Sequence, residues 1–283
     1  MHRADLHIHT TASDGVYTPS KVVLRAKEKG VNSLAITDHD CIAGIDEACQ
    51  YAKLHDIRVI SGVELSTGNN AETHVLGYGV NQTDPRLNAF LKQMREDRKE
   101  RAQKICEKLI ALQMPVSLPN EYLSGDKALG RPQIARAMME RGYVGSVQEA
   151  FEKYLGSNCP AYVPRKKVET LQAIRLLREI GAVPVLAHPC QIHMSENALA
   201  KEFSQWIDAG LMGVEIYHPS MSPAYRLKWK QIANQYQLVI TGGSDFHAPG
   251  DKHADIGEMI HAWNTCNEDV ERLMEAVQMV KGN

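Results

Sequence analysis

Histidine and carboxylate side chains recur in this sequence where short apolar segments end. Residues 4–10 alternate like a strand and place His7 and His9 on one face, because residues two apart on a strand point the same way. Two imidazoles so placed can reach one metal ion. Asp14 follows in the turn TTASDGVYTP. A histidine pair alone does not establish a metal site, because both rings can instead form hydrogen bonds with the backbone or water. The later segments therefore decide between these two interpretations.

The same residue types close most of the later apolar segments. These segments end in TDHD (37–40), GVE (62–64), LAHP (186–189), EIYH (215–218) and GSDFH (243–247), and the fourth opens with His74. Polar groups at the mouth of a core are costly unless they bind something. The pattern predicts one shared metal site. Its candidate ligands are His7, His9, Asp14, His39, Glu64, His74, His188, Asp245 and His247.

This donor set is larger than one ion needs and contains no cysteine. Tetrahedral zinc takes four ligands, whereas manganese and iron combine histidine with carboxylate at higher coordination numbers. We therefore expect two or three divalent ions (Mn²⁺, Zn²⁺ or Fe²⁺), with Glu64 able to bridge two of them. Because bound water is acidified towards neutral pH, the set predicts hydrolysis with a metal-activated hydroxide as nucleophile.

The elements that must position these ligands follow a strand–helix rhythm. Apolar strand-like segments alternate with helical patterns from residue 4 to residue 80 and again from residue 168. The rhythm predicts an α/β fold with a parallel sheet. About seven strands are expected, the count of a β/α barrel, in which chemistry lies at the carboxyl ends of the strands.

The rhythm is interrupted between residues 82 and 165, where helical patterns follow one another without a strand. They begin at Asp84-Pro85, at residue 131 and at residue 146. The charge run REDRKER (95–101) interleaves both signs, which predicts a solvated helix face rather than a nucleic-acid patch. We expect a helical insertion domain at 82–165 and a barrel domain made of 1–81 and 166–283.

Charge and composition exclude several partners. The 32 basic and 34 acidic side chains give a net charge of −2, so no global positive field exists to hold long duplex DNA. The sequence contains no run of 18 apolar residues, so no membrane span is predicted. Six cysteines without a C-x-x-C pair, and a first segment lacking an apolar signal core, predict reduced thiols in the cytoplasm.

The ordered motifs DLHIHTTASDG, ITDHD, GVELS, HVLGY, LAHP, GVEIYH and SDFH resemble those of the PHP (polymerase and histidinol phosphatase) metal-dependent phosphoesterases. GRPQIARAMMERG and YVPRKKV are similar to the branch that dephosphorylates nucleoside 3′,5′-bisphosphates and removes nucleotides from short 5′-phosphorylated RNA. The resemblance implies a distorted (β/α)7 TIM-like barrel, here with a small helical insertion domain.

The resemblance also implies how the ligands divide among the ions. In several relatives a histidine stands at the position of Asp14, and an oxygen ligand there favours manganese. The implied sets are His7, His9 and Asp245 for a first ion, Glu64 as the bridge to a second ion with His74 and His188, and Asp14, His39 and His247 for a third.

Phosphate needs cations beyond the metals. Arg131, in LGRP at the start of a helical pattern, is expected to make a bidentate contact with phosphate oxygens. The N-terminus of that helix would also favour the phosphate. Arg165, in PRKK, is the second candidate for substrate binding. His218 is expected to contact phosphate or to donate a proton, so Arg131 and His218 are the catalytic candidates besides the metals.

The predicted function is therefore a metal-dependent phosphohydrolase acting on phosphate monoesters of nucleotides, with short 5′-phosphorylated RNA as a further substrate. One alternative is C–N hydrolysis, because amidohydrolases also begin with H-x-H on a barrel strand. They commonly use a carboxylated lysine as the bridge, whereas no lysine ends a core strand here. The other alternative is a non-catalytic metal-binding module.

Overall fold

The computed structural model describes residues 3–68, 71–250, 254–258 and 267–282. The chain divides into two compact units. The first consists of Met1–Asn88 with Lys167–Asn283, and the second is Ala89–Lys166.

The first unit is built on one sheet of seven strands that follow one another in chain order. A parallel bridge between Ile8 and Phe246 joins the first strand to the segment after the last one, so the sheet nearly closes as a barrel. The predicted TIM-like fold is thereby confirmed. The strands are β1 (Ala4–Ile8), β2 (Ser33–Ile36), β3 (Arg58–Thr67), β4 (Thr73–Tyr78), β5 (Val183–Leu186), β6 (Gly213–Tyr217) and β7 (Val239–Gly242).

The prediction of a wholly parallel sheet was wrong for β4. This strand runs antiparallel to both β3 and β5, with His74 opposite Ser66 on β3. Residues 68–72 alone connect β3 to β4, which is too short for the crossover that a parallel pair requires. The amino end of β4 therefore lies at the edge where the parallel strands have their carboxyl ends. That reversal explains why His74 opens its strand whereas the other ligands lie at strand ends.

Helices surround this sheet in the first unit. Thr18 caps the first of them by accepting the Lys21 N–H at 3.2 Å, and Pro19 occupies its first turn. The last helix packs Leu273 and Val277 against the buried faces of the strands. The α-helices among the described residues are α1 (Pro19–Glu28), α2 (Ile45–His55), α3 (Pro85–Ala111), α4 (Asn120–Ser124), α5 (Arg131–Glu140), α6 (Val147–Ala150), α7 (Thr170–Glu179), α8 (Glu196–Asp208), α9 (Pro223–Gln235) and α10 (Asn267–Lys281).

The second unit has its own apolar core between α3 and the shorter helices, including Ile105, Leu109, Ile134 and Met138. The helix predicted from residue 146 is the short α6 continued by a π-helical turn, Phe151–Leu155. Helix α4 was not predicted, because its five residues are too few to show a periodic pattern.

The charge run on α3 is not the solvated face that its mixed signs predicted. Arg95 is 9% exposed, and residues 97–101 are partly buried. Two backbone carbonyls face this helix: Arg98 Nη1 donates to Leu129 O at 3.5 Å, and Arg101 Nε donates to Val163 O at 2.8 Å. Long arginine side chains can bury their stems in this way while the guanidinium is satisfied by carbonyl oxygens.

The described part of the chain contains no helix that is long and apolar enough to cross a membrane. Five cysteines carry free thiols, and Cys266 lies outside the described residues. The free thiols are those of Cys41, Cys49, Cys106, Cys159 and Cys190.

Candidate metal centre

All nine predicted ligands lie together at one edge of the sheet. Most are located in or just after the carboxyl-terminal parts of parallel strands, and His74 is supplied by the amino end of β4. Their donor atoms form overlapping groups in which every atom lies within 4.8 Å of the others. The groups are His9, Asp14, His39 and His247; His7, His9 and Asp245; His7, Glu64 and His188; and His39, Glu64 and His74.

Glu64 is the common element of this cluster. Its Oε1 atom lies 2.9 Å from His74 Nδ1 and 3.0 Å from His188 Nε2. Its Oε2 atom lies 2.8 Å from His39 Nδ1 and 3.3 Å from His9 Nε2. Each oxygen faces a different set of imidazoles, so the carboxylate would be shared by two ions if both groups around it were occupied.

Two aspartates complete the cluster on either side of His9. Asp245 Oδ1 lies 3.2 Å from His9 Nε2 and 3.5 Å from His7 Nε2. Asp14 Oδ1 lies 3.3 Å from His247 Nε2 and 3.6 Å from His9 Nδ1. The two nitrogens of His9 therefore face different carboxylates.

Burial of this cluster tests whether its residues fit a metal. His7, His9 and Glu64 are fully buried. Among the described side chains, the Nε2 atoms of both histidines and Oε2 of Glu64 are buried without a hydrogen-bond partner. Leaving such atoms unsatisfied costs about 1–3 kcal/mol each. Lone pairs that converge in this way are satisfied by a cation, so the donor set fits divalent metal ions.

Two carboxylates of the cluster have lowered pKa values. Burial alone would raise the pKa of Glu64, but the neighbouring His39 and His74 lower it well below its usual value. The pKa of Asp14 shifts in the same direction. Burial would raise it, but His247 and His39 lower it well below its usual value. Negative charge is thus held in a buried pocket that imidazoles surround.

The pKa values of His7 and His9 shift in the opposite direction, whereas burial lowers those of His39 and His188. Burial disfavours the charged form of His7, but Glu215 and Glu64 raise its pKa well above the usual value. Burial likewise opposes the charge on His9, and the adjacent carboxylates of Asp245 and Glu64 raise its pKa to about 10. Protons therefore balance the carboxylates when metal is absent, and a bound metal must displace them.

The backbone is strained at three positions in this region. Asp40, His188 and Asp245 have positive φ angles of 52°, 24° and 52°. Such conformations cost about 1–3 kcal/mol in residues other than glycine and persist where surrounding contacts enforce them. One such contact is Asp40 Oδ1, which accepts the Ser66 N–H at 2.8 Å.

Glu215 contributes to this site and was not predicted to do so. It is fully buried, and its Oε1 atom lies 3.0 Å from His7 Nδ1. Its Oε2 atom accepts the backbone N–H of His188 at 2.8 Å. Since His7 directs Nδ1 at this carboxylate, its Nε2 atom is left to face the cluster. A glutamate inside the apolar strand GVEIY was the available signal.

Asp38 is a second residue that sequence reasoning did not assign. Its carboxylate accepts the Thr10 N–H and the Thr10 hydroxyl, both at 2.7 Å, and the Ser13 hydroxyl at 2.5 Å. These bonds fix the turn that carries Asp14. Asp38 thus orients one of the predicted ligands without itself belonging to the metal-binding groups.

The remaining predicted residues differ in their placement. His218 is buried beside the cluster, with Nε2 3.3 Å from Asp245 Oδ2 and Nδ1 accepting the Ser220 N–H at 3.1 Å. Arg131 and Arg165 belong to the second compact unit. Their role as phosphate contacts stays a prediction.

Comparison with known proteins identifies relatives along most of the chain. The family model described as the PHP domain matches residues 5–115. The chain is 37% identical over 249 residues to the 5′-3′ exoribonuclease Rnm of Escherichia coli (strain K12), covering 87% of this chain and 85% of that protein. It is 32% identical over 260 residues to a 3′,5′-nucleoside bisphosphate phosphatase of Chromobacterium violaceum, covering 91% of each.

A solved structure agrees with this relationship. The crystal structure of a protein from Bifidobacterium adolescentis, assigned as a metal-dependent phosphoesterase, superposes with a TM-score of 0.87 at 26% sequence identity. The match covers 97% of this chain and 96% of that one.

Proposed function

This chain belongs to the PHP family, and from that premise we propose that it is a metal-dependent phosphoesterase acting on phosphorylated nucleotides. Its substrates are nucleoside 3′,5′-bisphosphates and short 5′-phosphorylated RNA. Two curated relatives support this choice, since one is named a nucleoside bisphosphate phosphatase and the other a 5′-3′ exoribonuclease.

The observation that carries the proposal is the buried cluster centred on Glu64, with ring nitrogens and carboxylate oxygens converging in overlapping groups. Divalent ions, when bound by such groups, lower the pKa of water towards neutrality and neutralise charge on phosphoryl oxygens. The surrounding protein supplies fixed ligands and excludes competing solvent. Manganese, zinc or iron(II), in two or three sites, fits the mixed imidazole and carboxylate donors.

Residues beside the ligands have distinct tasks in this proposal. His218 donates from Nε2 to Asp245 and is the candidate proton donor to the leaving group or contact to phosphate. Arg131 orients the ester through its planar guanidinium, and Arg165 adds a second positive charge for the substrate. The proposed location is the cytoplasm, because the cysteines are predicted to remain reduced thiols.

The test is a phosphate-release panel with purified, manganese-loaded protein. We expect turnover of adenosine 3′,5′-bisphosphate and of a short 5′-phosphorylated RNA, with weaker hydrolysis of a generic aryl phosphate. The double variant His7→Ala/His9→Ala should fold but show no turnover above background. Absence of phosphate release from every ester, or equal activity in the double variant, would contradict the proposal.

Amides and lactams belong in the same panel, because they test the alternative of C–N hydrolysis. Glu64 is the carboxylate shared by the histidines of the cluster, whereas amidohydrolases commonly use a carboxylated lysine as the bridge. We therefore expect no amide or lactam turnover. Hydrolysis of an amide at a rate above that of the phosphate esters would replace the proposed function with the alternative one.

A further inference from the structure

Helix α9 carries a buried arginine that does not belong to the ligand cluster. Arg226 is the fourth residue of this helix and is 6% exposed. Its Nε and Nη1 atoms are buried without a hydrogen-bond partner among the described residues. Burial lowers the pKa of Arg226, and no carboxylate of the described residues counters this effect. The guanidinium is therefore a buried positive charge without a counter-ion.

A charge in this situation is costly to the fold. Removing an ion from water is compensated only when an opposite charge or a full set of hydrogen bonds replaces the solvent. An apolar side chain of similar size at the same position is often neutral or stabilising. Residues that break a local rule in this way are expected at functional sites. The contacts of Arg226 indicate which function it serves.

The guanidinium contacts the loop that joins β6 to α9, residues 218–222. Arg226 Nη2 donates to Met221 O at 2.9 Å. Met221 is buried, and its own N–H donates to His218 O at 3.0 Å. Both backbone groups of Met221 are thereby held, one by Arg226 and one by His218. Among the described residues, no other side chain from outside this loop donates to its carbonyl groups.

The same loop sets the direction of the His218 ring. The Ser220 N–H donates to His218 Nδ1 at 3.1 Å, and His218 Nε2 lies 3.3 Å from Asp245 Oδ2. The side chain is closely packed, since His218 is 1% exposed. Because Ser220 and Met221 both bond to His218, a shift of the loop would turn Nε2 away from the ligand cluster.

The first turn of α9 gives Arg226 a fixed base. Ser222 Oγ accepts the Tyr225 N–H at 3.3 Å, and Ser222 O accepts the Arg226 N–H at 2.9 Å. These bonds cap the helix at the point where the loop ends. Arg226 therefore reaches back from a regular element to the loop before it, which is how a supporting residue holds a functional one in place.

We propose that Arg226 is a positioning residue for His218 and acts through the β6–α9 loop. It keeps His218 Nε2 beside Asp245, at the edge of the ligand cluster. This inference rests on the proposed function and deepens it, because it assigns proton donation to His218 and names the residue that holds the donor.

The proton has a defined course in this proposal. When the P–O bond breaks, its electron pair goes to the leaving oxygen, which takes the proton from His218 Nε2. The attacking water supplies the new hydroxyl group on phosphorus, and its second proton restores His218. Arg226 itself touches neither the substrate nor the reacting atoms.

Arg226→Met tests the proposal, because methionine keeps an unbranched stem but has neither the charge nor a donor. The variant should lower kcat for adenosine 3′,5′-bisphosphate about tenfold or more, since a small misplacement of a catalytic group is costly, and KM should change less than about twofold. Its Tm should equal or exceed that of the unmodified protein, because a buried charge without a counter-ion is removed. Support of the fold alone would instead lower Tm.

The matched control is Lys230→Met, which removes one positive charge from an exposed position of the same helix. It should leave kcat and Tm unchanged. Arg226→Lys keeps the charge and a donor, so it should recover part of the activity. Bound manganese should be equal in all of these variants, because none of them changes a ligand.

A double-mutant cycle with His218→Gln shows whether Arg226 acts through this histidine. In the His218→Gln background, Arg226→Met should lower kcat by less than about twofold. The loss from Arg226→Met alone should also be larger for the bisphosphate than for nitrophenyl phosphate. The bisphosphate releases a basic ribose oxygen that needs a proton, whereas nitrophenolate leaves without one.

Hydrogen–deuterium exchange of the metal-free protein gives a measurement that does not depend on turnover. Residues 218–222 should exchange faster in Arg226→Met than in the unmodified protein, and at the unmodified rate in Lys230→Met. This comparison reports directly on the order of the loop.

The proposal is overturned if Arg226→Met keeps full activity, if it loses activity equally in both backgrounds, or if Tm falls together with activity. Unchanged exchange of the loop would overturn it as well. Failure of the proposed function gives a different pattern. In that case the unmodified protein releases no phosphate from any ester, yet exchange of residues 218–222 still depends on Arg226.

Discussion

The cluster around Glu64 and the arginine cluster of the second unit (Arg98, Arg101, Arg131 and Arg165) are both rich in ionisable side chains, but their charges are arranged in opposite ways. Around Glu64, carboxylate oxygens and imidazole nitrogens face one another, at 2.8 Å for His39 and 2.9 Å for His74. Around Arg101, guanidinium groups repel one another and bond to carbonyl oxygens. The first arrangement fits bound cations, whereas the second brings positive charges close together.

This difference shows that one nearly neutral chain can contain regions of opposite charge. Its net charge of −2 conceals two local concentrations of opposite sign. Local field, not net charge, decides which ligand each region binds, because interactions beyond a Debye length of about 10 Å are largely screened by salt. The two regions can therefore be disrupted independently, and the predictions below use that independence.

The largest expected effect comes from removing the central carboxylate. Glu64→Ala should reduce kcat/KM for phosphate esters by about 10³-fold or more, since ligands of more than one ion are lost together. Metal analysis should show a matching fall in bound manganese. The arginine cluster should be unaffected, so binding of a short 5′-phosphorylated RNA by metal-free protein should stay unchanged.

Glu72→Ala is the matched control for that experiment. Glu72 Oε1 lies 3.7 Å from His74 Nε2, but its side chain is 66% exposed. This variant should retain manganese and most activity. Similar losses in both variants would show that nearby negative charge, rather than a bridging carboxylate, controls metal binding.

A smaller effect is expected from Glu215→Gln. The substitution keeps the shape of the side chain but removes the charge that orients His7 and holds the His188 backbone. Supporting residues of this kind typically contribute 10–100-fold to metal affinity or activity. Manganese titration of the metal-free variant should show weaker binding in about that range. Glu275→Gln, at an exposed position of α10, is the control and should bind manganese normally.

How much of this centre the sequence predicts depends on which interaction is involved. Ligands at strand ends were predicted because parallel strands bring their carboxyl ends to one edge, as for His7 and His188. The direction of β4 was not predicted, because it depends on the short connection from β3 rather than on the composition of the strand. Glu215 was missed because its partners lie far away in sequence, and the mixed run on α3 concealed which charges pair.

The pH dependence of metal binding is the third prediction. The pKa of His9 rises from 6.5 to about 10 in the metal-free fold. This proton therefore stabilises the metal-free fold fully below pH 6.5, and the stabilisation is lost as pH rises towards 10. Metal binding needs the neutral ring, so manganese affinity should increase with pH by up to about tenfold per unit for each proton displaced.

Manganese titrations at about pH 6.5 and pH 8 measure this effect. Phosphate binding to the arginine cluster should change much less over the same interval, because guanidinium groups stay charged. Manganese affinity that is independent of pH would contradict the assignment of imidazole nitrogens as ligands.

The smallest effect is thermal. Inorganic phosphate should raise the Tm of metal-free protein by about 2 °C, because it neutralises the repelling arginines in the folded state. Arg131→Gln should lose this increase, and sodium chloride at equal ionic strength should not reproduce it. An equal increase in the Arg131→Gln variant would place the responsible phosphate site elsewhere.

The bridge between Ile8 and Phe246 has a consequence for the order of events during folding. It brings Asp245 and His247 beside His7 and His9, so two of the four ligand groups combine the first strand with the segment after the last one. Contacts so distant in sequence carry a high loop-closure cost and form late. A nascent chain that has not yet delivered residue 247 therefore lacks two of the four ligand groups, so full metal loading would have to follow the completion of the barrel.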